Sequence, residues 1–288
     1  MAQKSDYSNV FALHTIAVVI PAYRSEKHIL GVLDGIPPLV SFIIVVDDCS
    51  PDGLAKLVKS YGDNDPRVYL VSHKENQGVG GAILSGYKKS IELGTDIVVK
   101  MDTDGQMEPA YIIPLITPIL MDQANYTKGN RFLHADELRS MPLFRRMGNT
   151  SLSFLTKAAT GYWSVFDPTN GYTAIDASII PELDQNRIHK RYFFESSMLF
   201  ELGNVRAVIQ DIELPAKYQD EVSMLSEWKA LFEFPPCSFT GLVRRIFVQY
   251  FIRDSGIFQC FWSWDSFLKS SDSFSGCIVG IFHFLHPQ

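Results

Sequence analysis

The sequence predicts an α/β protein in which a central, mostly parallel β-sheet is flanked on both faces by helices. Three observations carry that expectation. Apolar, β-branched runs bounded by turn signals alternate with stretches of helical character through the first half of the chain. Those runs are continuously apolar rather than alternating, as strands covered on both sides must be. They also tend to end in polar or acidic residues, and in parallel sheets ligands bind beyond the carboxyl ends of the strands.

Taken in order, a first strand is expected at Ile16–Ile20, leading into Pro21-Ala22-Tyr23, and a helix at Glu26–Gly35. A second strand, Phe42–Val46, runs into Asp47-Asp48-Cys49-Ser50-Pro51-Asp52-Gly53, after which the pattern turns helical to Tyr61. A third strand, Val68–Val71, precedes a helix over Gly80–Leu93; a fourth, Asp96–Lys100, precedes Asp102-Thr103-Asp104-Gly105-Gln106. Beyond residue 125 the pattern mixes: strands at Tyr126–Lys128, Gly171–Ile175 and Ala207–Ile212, with helices at Asn149–Ala159 and Phe193–Leu202. No repeat or Gly/Ser-rich linker divides this region, so one domain is expected over residues 15–230, between an N-terminal extension (1–14) and a C-terminal segment (231–288).

Composition narrows the function. The 288 residues carry 26 Lys and Arg against 32 Asp and Glu, a net charge of −6, with 46% apolar and 12% aromatic residues. That is the make-up of a folded protein with a substantial core, and a net acidic chain is a poor phosphate-backbone binder, so no nucleic-acid partner is expected. Cys49, Cys237, Cys260 and Cys277 lie far apart with no metal-like spacing, which fits a reducing compartment. Lys4 and Asp6 come early and the first apolar run stops at Pro21, so no secretory signal is read and residues 1–230 are expected to remain in the cytoplasm.

Chemistry gathers at the strand ends. Asp102 and Asp104 flank one residue directly after an apolar strand, and Gln106 follows at the same period; in extended geometry the three side chains share one side. Carboxylate and amide oxygens suit Mg²⁺ or Mn²⁺, and an ion held by one or two carboxylates keeps positions open for substrate phosphates. The competing reading is a solvated Asp-Gly turn. Asp47 and Asp48 end a neighbouring strand, where an Asp can accept from a ribose hydroxyl or a base N–H, while Ser50 or Asp52 is a candidate helix N-cap. Asn76-Gln77-Gly78-Val79-Gly80-Gly81 matches neither phosphate-loop spacing and reads as a tight turn whose glycines let a helix approach the sheet. Arg131 closes a strand and Arg146 opens a helical segment; each is either a phosphate ligand or solvated surface. Glu195, in the first turn of a helix whose Phe194, Met198 and Leu202 read as core, either favours the helix dipole or serves an acceptor.

The ordered set Val18-Val19-Ile20-Pro21-Ala22-Tyr23-Arg24, Val45-Val46-Asp47-Asp48-Cys49-Ser50-Pro51-Asp52-Gly53, Asn76-Gln77-Gly78-Val79-Gly80, Lys100-Met101-Asp102-Thr103-Asp104-Gly105-Gln106 and Gly129-Asn130-Arg131 resembles the family 2 glycosyltransferases of GT-A fold. Within that family it is most similar to the dolichyl-phosphate mannose synthase-like, polyprenyl-phosphate glycosyltransferases, whose acceptor-side motifs Asp167-Pro168-Thr169-Asn170-Gly171-Tyr172 and Arg191-Tyr192-Phe193-Phe194-Glu195-Ser196 resemble. The resemblance spans residues 15–253. It implies a Rossmann-like nucleotide-sugar fold, in which Pro21, Tyr23 and Asp47 contact the nucleotide and Asp48 supports that loop. It further implies that Asp102, Asp104 and Gln106 hold Mg²⁺ or Mn²⁺, that Arg131 and Arg146 meet phosphates, and that Asn170, Gly171 and Glu195 border the acceptor. Where many relatives carry an Asp after Glu-Ser, this chain has Ser197, which speaks against a base there.

The implied reaction is inverting transfer of a hexose, mannose or glucose, from a GDP-mannose- or UDP-glucose-class donor to a polyprenyl or dolichyl phosphate. A lipid phosphate, with a second pKa of roughly 6, is already largely anionic at neutral pH and needs no general base. Transfer to a saccharide hydroxyl, which does need one, and nucleotide-sugar binding without turnover are the alternatives. Leu242–Arg253 is basic and aromatic, and as a helix it either lies in a membrane interface or packs on the body. A lipid acceptor favours the former and a place at the cytoplasmic face of a membrane, attached peripherally or by the C-terminus. Relatives often continue into spanning helices. Here Gln259, Asp265 and His283 interrupt the apolar runs, so the tail is expected to be truncated or altered, which sequencing the gene through codons 250–288 tests.

Overall fold

β-Branched residues that can be buried on both faces build the centre of the sheet: β1 (Ile16–Ala22), β2 (Phe42–Asp47), β3 (Val68–Ser72) and β4 (Ile97–Lys100). The computed structural model describes residues 13–130, 154, 156–165, 167, 170–191, 193–214 and 239–247. Helices α1 (Ile29–Gly35), α2 (Leu54–Gly62) and α3 (Val79–Glu92) connect the first four strands in turn, and α4 (Ile112–Leu120) follows β4. After them come β5 (Tyr126–Asn130), β6 (Thr173–Asp176), α5 (Phe194–Asn204) and β7 (Ile209–Glu213).

The strands lie in the order β3-β2-β1-β4-β6-β5-β7. β1 pairs in parallel with β2 and β4, β2 with β3, and β5 with β7, whereas β6 is antiparallel to both β4 and β5. Six strands therefore point one way and β6 alone runs back. The mostly parallel sheet read from the sequence is the one found.

Alternation along the strands sorts side chains into two cores. Val18, Ile20, Ile43, Val45 and Val99 pack with Ile29, Leu33, Leu54, Val58 and Leu115, covering one face with α1, α2 and α4. Val19, Ile44, Val46 and Val98 pack with Ala82, Ile83, Tyr87, Phe194, Met198 and Leu202, covering the other with α3 and α5. Phe194, Met198 and Leu202 thus take the core role expected of them.

Three local expectations need correction. α1 starts at Ile29 rather than Glu26, because Glu26 is drawn into the loop after β2: its N–H donates to Asp52 (3.2 Å) and its carboxylate accepts from Gly53 N (3.0 Å). Neither Ser50 nor Asp52 is the N-cap of α2; Gly53 occupies that position and Glu26 satisfies its N–H. The sequence reading has no element at α4, whose Pro114 and Pro118 are helix breakers by propensity; burial of Ile112, Leu115, Ile116 and Ile119 outweighs them. Of the helix expected over 149–159, the described residues, 154 and 156–159, are helical, and the helix runs on to 160.

The chain divides into two units, Met1–Phe239 and Thr240–Gln288. In the second, residues 240–247 are helical. Among the described residues no helix is long and apolar enough to cross a membrane.

Candidate active site

The carboxyl ends of β1, β2 and β4 are adjacent, and the sequence after each supplies polar residues to one edge of the sheet. Ala22 pairs with Asp47 across β1 and β2, and Asp48 N donates to Ala22 O (3.0 Å). Met101 N donates to Val19 O (3.1 Å), which extends the pairing with β1 beyond Lys100 and leads into Asp102 at the same edge. Tyr23 stands exposed at the tip of β1 with the Arg24 guanidinium 5.3 Å from its ring centroid. Arg24 adopts φ +53°, and its N–H donates to Ser50 Oγ (2.8 Å), fastening the β1 tip to the β2 loop.

The two acids after β2 have different tasks. Asp47 is buried and its Oδ1 accepts from Ser50 N (2.9 Å), which closes the turn. Asp48 points into the glycine loop: Oδ1 accepts from Gln77 N (2.8 Å) and from His73 Nδ1 (2.7 Å), Oδ2 from Gly78 N (2.7 Å). A carboxylate only accepts, so Nδ1 carries the proton; Nε2 meets Ser85 Oγ at 2.8 Å. Both Asp48 oxygens therefore brace this loop.

The glycine loop itself is a packing device. Gly78 has φ +84°, and a Cβ there would lie 2.5 Å from the Lys190 carbonyl oxygen; at Gly80 it would lie 2.3 Å from the His189 carbonyl oxygen. Gly80 N donates to Lys190 O (2.8 Å), so the start of α3 is pressed against the segment leading into α5.

The reversal of β6 assembles the rest. Because β6 runs opposite to β4, Gly171, which precedes it, meets Asp102 at the end of β4. A Cβ on Gly171 would lie 2.7 Å from Asp102 Oδ2 and 2.4 Å from Lys100 Nζ. Asn170 is buried and its Oδ1 accepts from Tyr172 N (2.9 Å), while Tyr172 Oη donates to Glu108 O (2.9 Å), holding the 102–108 turn against β6. Within that turn Asp104 Oδ1 accepts from Gln106 N (3.0 Å), and Gly105 has φ +74°.

Two buried lysines, to which the sequence reading gives no role, lie beneath this edge. Lys100 and Lys128 both pair with Thr173, one from each side of β6. Lys100 Nζ lies 3.0 Å from Asp102 Oδ1 and 3.0 Å from Glu195 Oε1. Its burial disfavours the charge, but the two carboxylates outweigh that and hold its pKa above the ordinary lysine value. Lys128 donates to the Asn170 carbonyl; burial dominates there and pushes its pKa down to about 8, against the pull of Glu195 and Asp167. The signal in the sequence is a lysine closing the apolar run Ile-Val-Val-Lys and another inside Tyr-Thr-Lys-Gly: a cation in a buried strand requires a partner.

Ser197, where a base was doubted, is buried; its Oγ accepts from His189 N (2.9 Å) and donates to Phe194 O (2.8 Å), a structural task. Arg131 and Arg146 lie outside the described residues. Among the described residues no group of three or more His, Cys, Asp and Glu could hold a metal ion by itself. Hard oxygen donors at Asp102 and Asp104, the former with a side chain 31% exposed, suit an ion whose shell is completed by ligand phosphates.

Comparison with known proteins bears on this site. The model of glycosyl transferase family 2 matches residues 17–184, more than half of the chain. A UDP-N-acetylglucosamine–dolichyl-phosphate N-acetylglucosaminyltransferase of Methanococcus voltae is 37% identical over 190 residues, 62% of this chain and 75% of that protein. An undecaprenyl-phosphate mannosyltransferase of Micrococcus luteus is 28% identical over 204 residues, 69% and 82% of the two chains. Glucosyl-3-phosphoglycerate synthase of Mycobacterium tuberculosis, solved with Mn²⁺, UDP-glucose and phosphoglyceric acid, shares the fold with a TM-score of 0.61 at 21% identity over 82% of this chain and 81% of that one.

Proposed function

The chain belongs to glycosyl transferase family 2, and on that premise we propose that it is an inverting, metal-dependent enzyme that moves a hexose from a nucleotide sugar to a polyprenyl phosphate. The observation that carries this reading is that Asp47 and Asp102 both follow the carboxyl ends of strands flanking β1, with Gly171 of the acceptor-side motif against Asp102. Relatives named for dolichyl, undecaprenyl and polyprenol phosphate support the acceptor class.

In this reading the nucleotide lies beyond β1 and β2, against Pro21, Tyr23 and Asp47. Asp102 and Asp104, with Gln106, hold Mg²⁺ or Mn²⁺, and the ion supplies charge neutralisation for the departing diphosphate. Arg131 and Arg146 add phosphate contacts. Asn170, Gly171 and Glu195 border the acceptor, whose phosphate oxygen attacks the anomeric carbon in line as the bond to the diphosphate breaks, which inverts the configuration. Glu195 is ion-paired with a buried lysine, so it orients rather than removes a proton; a lipid phosphate that has lost its second proton, with a pKa of roughly 6, has none left to remove. The helix at 240–247, with Val243, Ile246 and Phe247 exposed beside Arg244 and Arg245, suits the cytoplasmic face of a membrane, where a lipid acceptor is found.

Radiolabelled donor sugars, offered with polyprenyl phosphate and Mn²⁺, test the reading. Label is expected in the extracted lipid with wild type and to fall at least ~100-fold in Asp104→Ala, which keeps wild-type melting without ligand but loses Mn²⁺-dependent stabilisation by UDP or GDP. Label passing only to a saccharide, or binding without turnover, refutes it.

A further inference from the structure

Lys100 is the point at which the donor and acceptor halves of the site are joined. It ends β4, a central strand, and its side chain is 1% exposed. Its ammonium lies 3.0 Å from Asp102 Oδ1 on the donor side and 3.0 Å from Glu195 Oε1 in the first turn of α5. Glu195 lies in the first turn of α5, and its side chain is only 15% exposed. Gly171 closes the remaining side: a Cβ there would sit 2.4 Å from Nζ and 2.7 Å from Asp102 Oδ2. The Lys100 ammonium is therefore enclosed by Asp102, Glu195 and the Gly171 backbone.

We propose that Lys100 is a positioning residue for sugar transfer, whose ammonium fixes the orientation of Asp102 toward the donor and ties it to Glu195 on the acceptor side. The proposal rests on the transferase reading above. Asp102 projects from an irregular turn, where a free carboxylate samples several rotamers. Two charge-assisted contacts through one buried ammonium select a single one and set the spacing between donor and acceptor groups. In-line transfer is sensitive to such placement, a displacement of about 1 Å costing on the order of 100-fold in rate. A lysine that merely neutralised two neighbouring acids has a different signature: removing it together with Glu195's charge restores most of what was lost, since replacing both members of a buried pair is close to neutral.

The experiment is a double-mutant cycle with Lys100→Met, Glu195→Gln and the two combined, reading melting temperature, kcat, KM for donor and acceptor, and the Mn²⁺ concentration at which UDP or GDP half-maximally stabilises the protein. Lys100→Met is expected to melt lower, to lose ~100-fold in kcat and to need at least ~10-fold more Mn²⁺. The combined variant is expected to regain most of the melting temperature while its kcat stays at least ~10-fold below that of Glu195→Gln alone. A combined variant that matches Glu195→Gln in kcat and in Mn²⁺ requirement overturns the proposal. Should Lys100→Met not fold, the comparison of the combined variant with Glu195→Gln carries the test. Wild type that binds UDP or GDP with Mn²⁺ yet transfers no sugar removes the transferase reading, and the Mn²⁺ requirement of the variants then still decides whether Lys100 orients Asp102.

Discussion

Lys128 carries a pH dependence that can be isolated. Its pKa falls from the ordinary 10.5 to about 8 because burial penalises the ammonium. Below pH 8 it is protonated in both the folded and unfolded chain, and above 10.5 in neither. Between them the unfolded chain binds a proton that the folded one does not, so this group makes stability rise with pH across that window, by about 3 kcal/mol if the shift is fully realised. Tyr87, Tyr126 and Tyr172, whose pKa values burial raises, act in the opposite direction at alkaline pH, so the contribution shows only by difference. Wild type is expected to gain stability relative to Lys128→Met as pH rises from 8 to 10, read from urea midpoints; a constant difference shows that Lys128 titrates normally. Such a residue is hard to see in sequence, because a lysine in a strand is ordinarily an edge or surface residue, and only burial from both faces makes it exceptional.

Among the elements, α3 depends most on the absence of side chains. Gly86 lies on the helix face turned to β1, where an added Cβ would be 2.2 Å from Val19 Cγ1 of a fully buried central strand. In an exposed helix, Gly→Ala gains about 1 kcal/mol. Here the steric term is larger, since neither β1 nor its neighbours has room to yield, and overpacking of this kind costs roughly 1–3 kcal/mol. Gly86→Ala is therefore expected to lower the urea midpoint with an unchanged slope, and a rise in the midpoint refutes the packing account. The same logic made the Gly78–Gly81 turn legible as a close approach between helix and neighbour. What the sequence did not reveal is that the neighbour is the backbone at His189 and Lys190, more than a hundred positions downstream.

At the scale of the whole molecule, the proposed attachment to a membrane is open to direct measurement. Val243, Ile246 and Phe247 are exposed on the helical residues 240–247, beside Arg244 and Arg245. An interfacial role combines apolar insertion with attraction to anionic headgroups at about 1 kcal/mol per basic residue near the surface. The full chain is expected to sediment with phosphatidylserine-containing vesicles, less at high salt, and Arg244→Glu with Arg245→Glu is expected to weaken binding at least ~30-fold. Equal binding to neutral vesicles, or none to either, counts against the peripheral placement.

Sequence alone determined the layered α/β architecture, because apolar period and turn residues are local properties set within a few positions. It likewise located the acids at strand ends, since each follows a recognisable strand, and the ordered motifs pointed to the family. Only the tertiary structure decided that β6 runs against its neighbours and so brings Gly171 to Asp102. It also separated Asp48, committed to the glycine loop, from Asp47, and revealed Lys100 between Asp102 and Glu195. Those outcomes depend on contacts between residues as many as 95 positions apart, and which buried charges meet is fixed by strand order and direction, quantities no local pattern encodes.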